Sequence, residues 1–274
     1  MGEGRPALVH QASGEGPTII LLHGLTAVRS QVVHGSRRLE RSGFRTISYD
    51  ARSHGDSEPP GQGTALADAY SYASLAEDLD GIIGAEVPAG ESFYLVGSSM
   101  GAHTIARYVL DRPERIAGMV LIGPAYAGRE SDEDALAPWD AMSRGLKDNG
   151  PEGFIEAYSD QLDAGGEWRD RLIELARIRI GLHRHLEALA DALWWVPRSR
   201  PFGGLGDLTE ISTPTLIVAS DDEADPGHPR AVAEAWSEAL PRSELLIDPP
   251  GATPTAWSGG RLCTSIADFA HRHA

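Results

Sequence analysis

Short apolar runs alternate with amphipathic stretches along most of the chain, as expected for strands buried on both faces and joined by helices. TIILL at 18–22 reads as the first such strand and ends at His23-Gly24. A helix is expected over 28–41, stopped by Gly43, followed by the strand RTISY at 45–49 and the polar turn DARSHGDS at 50–57. Ser74 and Glu77 form a capping-box pattern ahead of a helix running to about Gly84. FYLV at 93–96 is a third strand; GSSMG follows, then a helix to about Arg112, where Pro113 ends it. MVLI at 119–122 is a fourth strand.

The rhythm then breaks. Residues 127–208 contain no strand-like run; the segment reads as helical, clearest over 172–193, and carries Trp139, Trp168, Trp194 and Trp195. Alternation resumes with PTLIVA at 214–219, a helix near 230–239, a strand at 244–247 and a last helix over 262–273. The expected fold class is α/β: a mostly parallel central sheet with helices on both faces. Residues 1–126 and 209–274 would form the core domain, and 127–208 a helical cap over one end of the sheet.

Composition narrows the function. Of 274 residues, 40 are acidic and 24 basic, giving a formal charge of −16. That balance argues against binding a nucleic-acid backbone or an anionic membrane surface. The apolar run at 18–22 is far too short to span a bilayer, and no signal-like segment opens the chain. Cys263 stands alone, so no intramolecular disulfide forms and a cytoplasmic location is the simplest expectation. No HExxH, P-loop or GxGxxG pattern is present, so neither a metal nor an organic cofactor is expected.

The chemistry concentrates at Gly97-Ser98-Ser99-Met100-Gly101, a G-x-S-x-G motif between a strand and a helix. There the glycines allow a tight turn, and Ser99 projects its hydroxyl beside the helix N-terminus. Together with His23-Gly24-Leu25, the DARSHGDS turn, the cap-like insertion and Asp225, this motif makes the chain resemble the α/β-hydrolases over essentially its whole length. The resemblance implies Ser99 as nucleophile and the backbone amides of Leu25 and Met100 as the oxyanion hole. It also implies an acid in the loop after PTLIVA. Asp225, with Pro229 four residues on, fits best; Glu223 and Asp222 are the alternatives.

One departure matters more than these matches. In that family a histidine base normally follows the last strand, but here the stretch DPPGATPTAW at 248–257 contains none. A serine hydroxyl without an adjacent base is a weak nucleophile. Among ten histidines, His228 is nominated as a displaced base because it lies three residues past Asp225. His103 and His54 read as packing and turn residues, and either His183 or His185 could look down on a substrate. Trp139, Trp194 and Trp195 are candidates for an apolar pocket roof. Arg169, Arg171, Arg177, Arg179 and Arg184 offer either a solvated helix face or a partner for a substrate carboxylate.

The expected activity is cofactor-independent hydrolysis of a small ester, thioester or lactone through an acyl-enzyme on Ser99. The substrate would be a small apolar or amphipathic molecule. The absent histidine keeps two alternatives open: a non-hydrolytic lyase, cyclase or acyl transferase on the same fold, and a degenerate ligand-binding protein.

Overall fold

A computed structural model describes residues 6–162 and 168–273. Seven strands form one sheet: β1 (His10–Ser13), β2 (Thr18–Leu22), β3 (Arg45–Tyr49), β4 (Phe93–Ser98), β5 (Ile116–Ile122), β6 (Thr215–Ala219) and β7 (Ser243–Ile247). Their spatial order is β1-β3-β2-β4-β5-β6-β7, with β1 antiparallel to β3 and every other pairing parallel. The described helices are α1 (Arg38–Arg41), α2 (Leu66–Ala69), α3 (Tyr72–Glu86), α4 (Met100–Asp111), α5 (Glu133–Ser159), α6 (Arg169–Ile180), α7 (Leu186–Trp195), α8 (Arg230–Ala239) and α9 (Gly259–Arg272).

Alternation along each strand divides the core in two. Ile20, Leu22, Leu95, Met119 and Ile217 face α3, α4 and α8, whereas Ile19, Leu21, Val96, Val120 and Val218 face α9 and Leu39 of α1. Burial on both faces is why these strands read as unbroken apolar runs. The direction of chain progression across the sheet reverses between β2 and β4. In open α/β sheets the crevice beyond the carboxyl ends at such a point is where ligands bind.

Three expected elements differ. The helix over 28–41 is replaced by a short 3-10 turn, Arg29–Gln31, and the single turn α1. Between them His34 and Gly35 take left-handed backbone angles (φ 50° and 68°) that no α-helix tolerates. The cap of α3 is Ser71, whose hydroxyl accepts the Ser74 amide, while the Ser74 hydroxyl donates to Asp68 O; the Ser74–Glu77 box is not used. The amphipathic stretch 172–193 is broken at Gly181, separating α6 from α7. The edge strand β1 is mostly exposed and polar, so it leaves no apolar signature in the sequence.

Between β5 and β6 the described residues contain helices and no strand; residues 163–167 of the expected insertion lie outside the described residues. Met142, Leu146, Phe154, Ile180, Leu189 and Leu193 from α5–α7 share one apolar cluster with Leu25, Ala51, Tyr70, Tyr72 and Met100. His183 ties the same segment to the DARSHGDS turn: Gly55 N donates to its Nδ1 (3.0 Å), and its Nε2 lies 3.2 Å from Thr26 O. The turn itself is held by the buried Arg52–Asp78 pair, with Nε to Oδ2 at 2.7 Å. Removing one partner of such a pair typically costs about 3–5 kcal/mol, because it strands the other charge. No helix of the described residues is long and apolar enough to cross a membrane.

Candidate active site

Ser99 occupies the sharp turn from β4 into α4 with φ 51° and ψ −112°, a strained conformation for a residue bearing a side chain. The flanking glycines are required by close approach. A Cβ on Gly97 would lie 2.5 Å from Gly101 C, and one on Gly101 would lie 2.4 Å from Leu22 O. The turn is pinned by Ser99 N donating to Ile122 O at 2.8 Å. Gly24, at the end of β2, runs close beside it, so a Cβ there would sit 3.4 Å from Ser99 Cβ. Met100 is the first residue of α4, where an amide has no acceptor within its own helix. Leu25 N likewise makes no hydrogen bond to a described residue.

These elements open onto a cavity of about 450 Å³, a size suited to a small molecule. Ser99, Leu25, Asp225 and His228 all line it, joined by Trp139 and by α6 residues Leu172 and Arg179. His228 Nδ1 is 2.8 Å from Asp225 Oδ1, so the ring donates to the carboxylate and its Nε2 is left without a partner among the described residues. The ring rests on Gly123, the residue after the Ile122 carbonyl that binds Ser99 N. A Cβ on Gly123 would meet His228 Cγ at 3.0 Å, and Gly123 has φ +56°. Glycine here thus makes room for the imidazole beside the Ser99 turn.

The acids of the 220–229 loop divide the work among themselves. Asp221 Oδ1 accepts the Glu223 and Ala224 amides (both 3.1 Å), holding the turn, and Asp222 Oδ1 accepts Arg230 N (2.7 Å) at the start of α8. Asp225 alone of this group bonds to a histidine. Burial pulls the His228 imidazolium down, but the charge and hydrogen bond of Asp225 outweigh it, so His228 titrates above its ordinary value; Arg179 opposes this more weakly.

Other histidines are committed to packing. His103 Nε2 accepts the Ala125 and Tyr126 amides (2.9 and 3.1 Å), so its Nδ1 donates to Tyr72 Oη at 2.9 Å. Burial, aided by the nearby His228 charge, pulls His103 down to about 3. His54 lies between the Arg52 and Leu25 carbonyls (both 2.8 Å) and is held below its ordinary value, chiefly by burial. His23 Nε2 accepts Ala51 N (2.9 Å). Neither His183 nor His185 reaches the cavity wall; His34, which no motif marked, does.

The aromatic roof also differs from expectation. Trp139 and Trp257 line the cavity, whereas Trp194 and Trp195 do not. Trp194 lies under the Arg198 guanidinium, 4.0 Å from its ring centroid, and Trp195 packs against the apolar cluster of α5–α7. Arg179 was legible only as one of several arginines. The sharper signal is its position seven residues after Leu172 and three after Ala176, on the apolar stripe of α6, where a charge is out of place. Among the described residues no group of side chains could hold a metal ion.

Comparison with known proteins agrees with this architecture. A family model described as the alpha/beta hydrolase fold matches residues 17–151. The chain is 28% identical over 222 residues to a 2-hydroxy-6-oxononadienedioate/2-hydroxy-6-oxononatrienedioate hydrolase of Pseudomonas putida, covering 75% of this chain and 71% of that protein. Among solved structures, a malate-bound thermophilic esterase from Thermogutta terrifontis superposes with a TM-score of 0.77 at 24% identity, over 98% of this chain and 95% of the esterase. The enol-lactonase of Burkholderia xenovorans LB400 gives 0.77 at 18% identity, over 97% of each chain.

Proposed function

The chain belongs to the α/β-hydrolase fold superfamily, and from that premise we propose that it is a serine hydrolase of a small ester, thioester or lactone whose base is His228. The observation that carries this reading is the Asp225–His228 hydrogen bond on the wall of the cavity that also exposes Ser99. It supplies, from the loop after β6, both groups that the resemblance would divide between two loops.

In this mechanism Ser99 Oγ attacks the acyl carbon while His228 Nε2 takes its proton. Asp225 fixes the tautomer by accepting from Nδ1–H and stabilises the imidazolium that forms. The carbonyl electron pair moves onto oxygen, which accepts hydrogen bonds from the Leu25 and Met100 amides; the positive end of α4 favours the same charge. The tetrahedral adduct collapses, the leaving oxygen or sulfur takes the proton from His228, and an acyl-Ser99 ester remains. Water, deprotonated by His228, attacks that ester and releases the acid with Ser99 reprotonated. The relatives named as hydrolases, esterases and an enol-lactonase support the reaction class.

Intact-mass analysis after fluorophosphonate treatment tests the reading. Wild type should gain one adduct and Ser99→Ala none. A folded wild-type protein that gains no adduct would overturn it and favour non-hydrolytic chemistry or ligand binding in the same cavity.

A further inference from the structure

We infer that Arg179 is the anion-recognising residue of this cavity, so that the substrate acylating Ser99 carries a carboxylate at the end remote from the scissile bond. The inference deepens the hydrolase reading and rests on it for the position of the scissile bond.

The placement of Arg179 comes from the helix it occupies. Leu172, Ala176 and Ile180 are the buried side of α6. Arg179 belongs to that side, and it lines the cavity beside Leu172. Its neighbours in sequence behave differently. Arg177 reaches out to Glu152 (2.5 Å), Arg171 lies over the Trp168 ring at 5.1 Å from the centroid, and Arg169 donates to Ser159 O at 3.3 Å. Arg179 makes no hydrogen bond or ion pair with any described residue.

A guanidinium turned inward without a carboxylate partner is costly, because desolvation of the charge is not offset. Burial accordingly draws Arg179 below its ordinary range, opposed by Tyr158 and Asp225. Asp225 is the one carboxylate among the described wall residues, and its Oδ1 is already engaged by His228. Tyr158, on the same wall, has a hydroxyl with no partner among the described residues, and burial keeps it protonated. A planar guanidinium fork with a phenol donor nearby suits a carboxylate, which can accept two parallel N–H bonds. Trp139, Leu172 and Trp257 supply apolar wall for the carbon chain between the charged end and the ester. Arg179 is thus a local positive charge within a protein of net charge −16, so its preference is local recognition and not long-range steering.

The test compares mono-p-nitrophenyl esters of succinate, glutarate and adipate with the same esters whose free carboxylate is methylated. Wild type should favour at least one anionic ester over its methylated partner by on the order of 30-fold in kcat/KM, carried mainly by KM. Arg179→Gln should collapse that ratio toward one, and Arg179→Lys should restore part of it. Equal or inverse preference in wild type across the series, or an unchanged ratio in Arg179→Gln, would overturn the inference. Calorimetric titration with glutarate separates this failure from failure of the hydrolase reading. Glutarate binding that is lost in Arg179→Gln supports the anion site even if Ser99 never forms an adduct. Absence of binding to wild type, in a protein whose Ser99 does react, removes the anion site alone.

Discussion

Two loops leave the carboxyl ends of the neighbouring strands β6 and β7 on the same side of the sheet, and they use their polar residues in opposite ways. The loop after β6 turns Asp225 and His228 toward the cavity. The loop after β7, where the family's base would stand, spends its carboxylate internally: Asp248 accepts the Thr255 amide at 2.6 Å and the Thr255 hydroxyl at 2.7 Å. Its Trp257 packs edge-on against Trp168 at 5.6 Å between ring centroids, and its Ala256 carbonyl lies 2.8 Å from His34 Nε2. At the start of the second loop Asp248 N donates to the carbonyl of Ala219, the last residue of β6, at 3.1 Å. The proposed acid–base pair needs a carboxylate that its own loop does not consume, and Asp225 meets that condition where Asp248 does not. Which strand delivers it is secondary, because parallel strands present all their carboxyl ends to one crevice.

The strongest way to break this contrast is His228→Ala. Acylation should fall by about 10²–10⁴-fold with an unchanged circular dichroism spectrum, read with an activated ester in a stopped-flow instrument. Unchanged acylation would place the base outside the β6 loop. Asp225→Asn should fall next, with a second readout in the pH profile. Because the base acts when neutral and Asp225 raises its titration, wild-type kcat/KM should climb with pH through an inflection above the ordinary histidine value of 6.5. In Asp225→Asn the inflection should move to lower pH; an unmoved inflection would mean that another group titrates.

A smaller effect on turnover is expected from Gly123→Ala, which meets both the positive φ and the His228 ring. Strain of this kind costs about 1–3 kcal/mol, readable as a lower urea midpoint together with reduced acylation. Loss of stability with full activity would show that the ring's seat on Gly123 does not matter to the chemistry. Thr255→Val should have the smallest effect on turnover. It removes a buried hydroxyl–carboxylate bond from the β7 loop and should cost about 1.5–3 kcal/mol in denaturation. The pH inflection should stay where it is. A shifted inflection would tie Asp248 to the active site and erase the contrast between the loops.

What could be read along the chain was whatever depends on neighbours in sequence. Strands buried on both faces announce themselves as apolar runs, and the elbow shows as a local pattern in which Gly97 yields to Gly101 four residues on, although Gly101 itself yields to Leu22 of the neighbouring strand β2. The break in rhythm after β5 is likewise local. Misreadings arose where a distant partner decided. A helix was expected over 28–41, yet His34 there turns toward Ala256, 222 positions along the chain. Trp194 and Trp195 have the composition of a pocket wall, but the rotation of α7 directs them elsewhere.

The sequence by itself determined the α/β rhythm, the serine turn and the lack of a histidine at 248–257, since each follows from local patterning or from plain identity. Tertiary structure decided which of four neighbouring acids meets a histidine, which face of α6 lines the cavity, and that Arg179 stands there without a hydrogen-bond or ion-pair partner among the described residues. Those outcomes depend on how separate elements pack: the apolar stripe of α6 marks Arg179 as inward-facing, but nothing in its own neighbourhood marks what it will face.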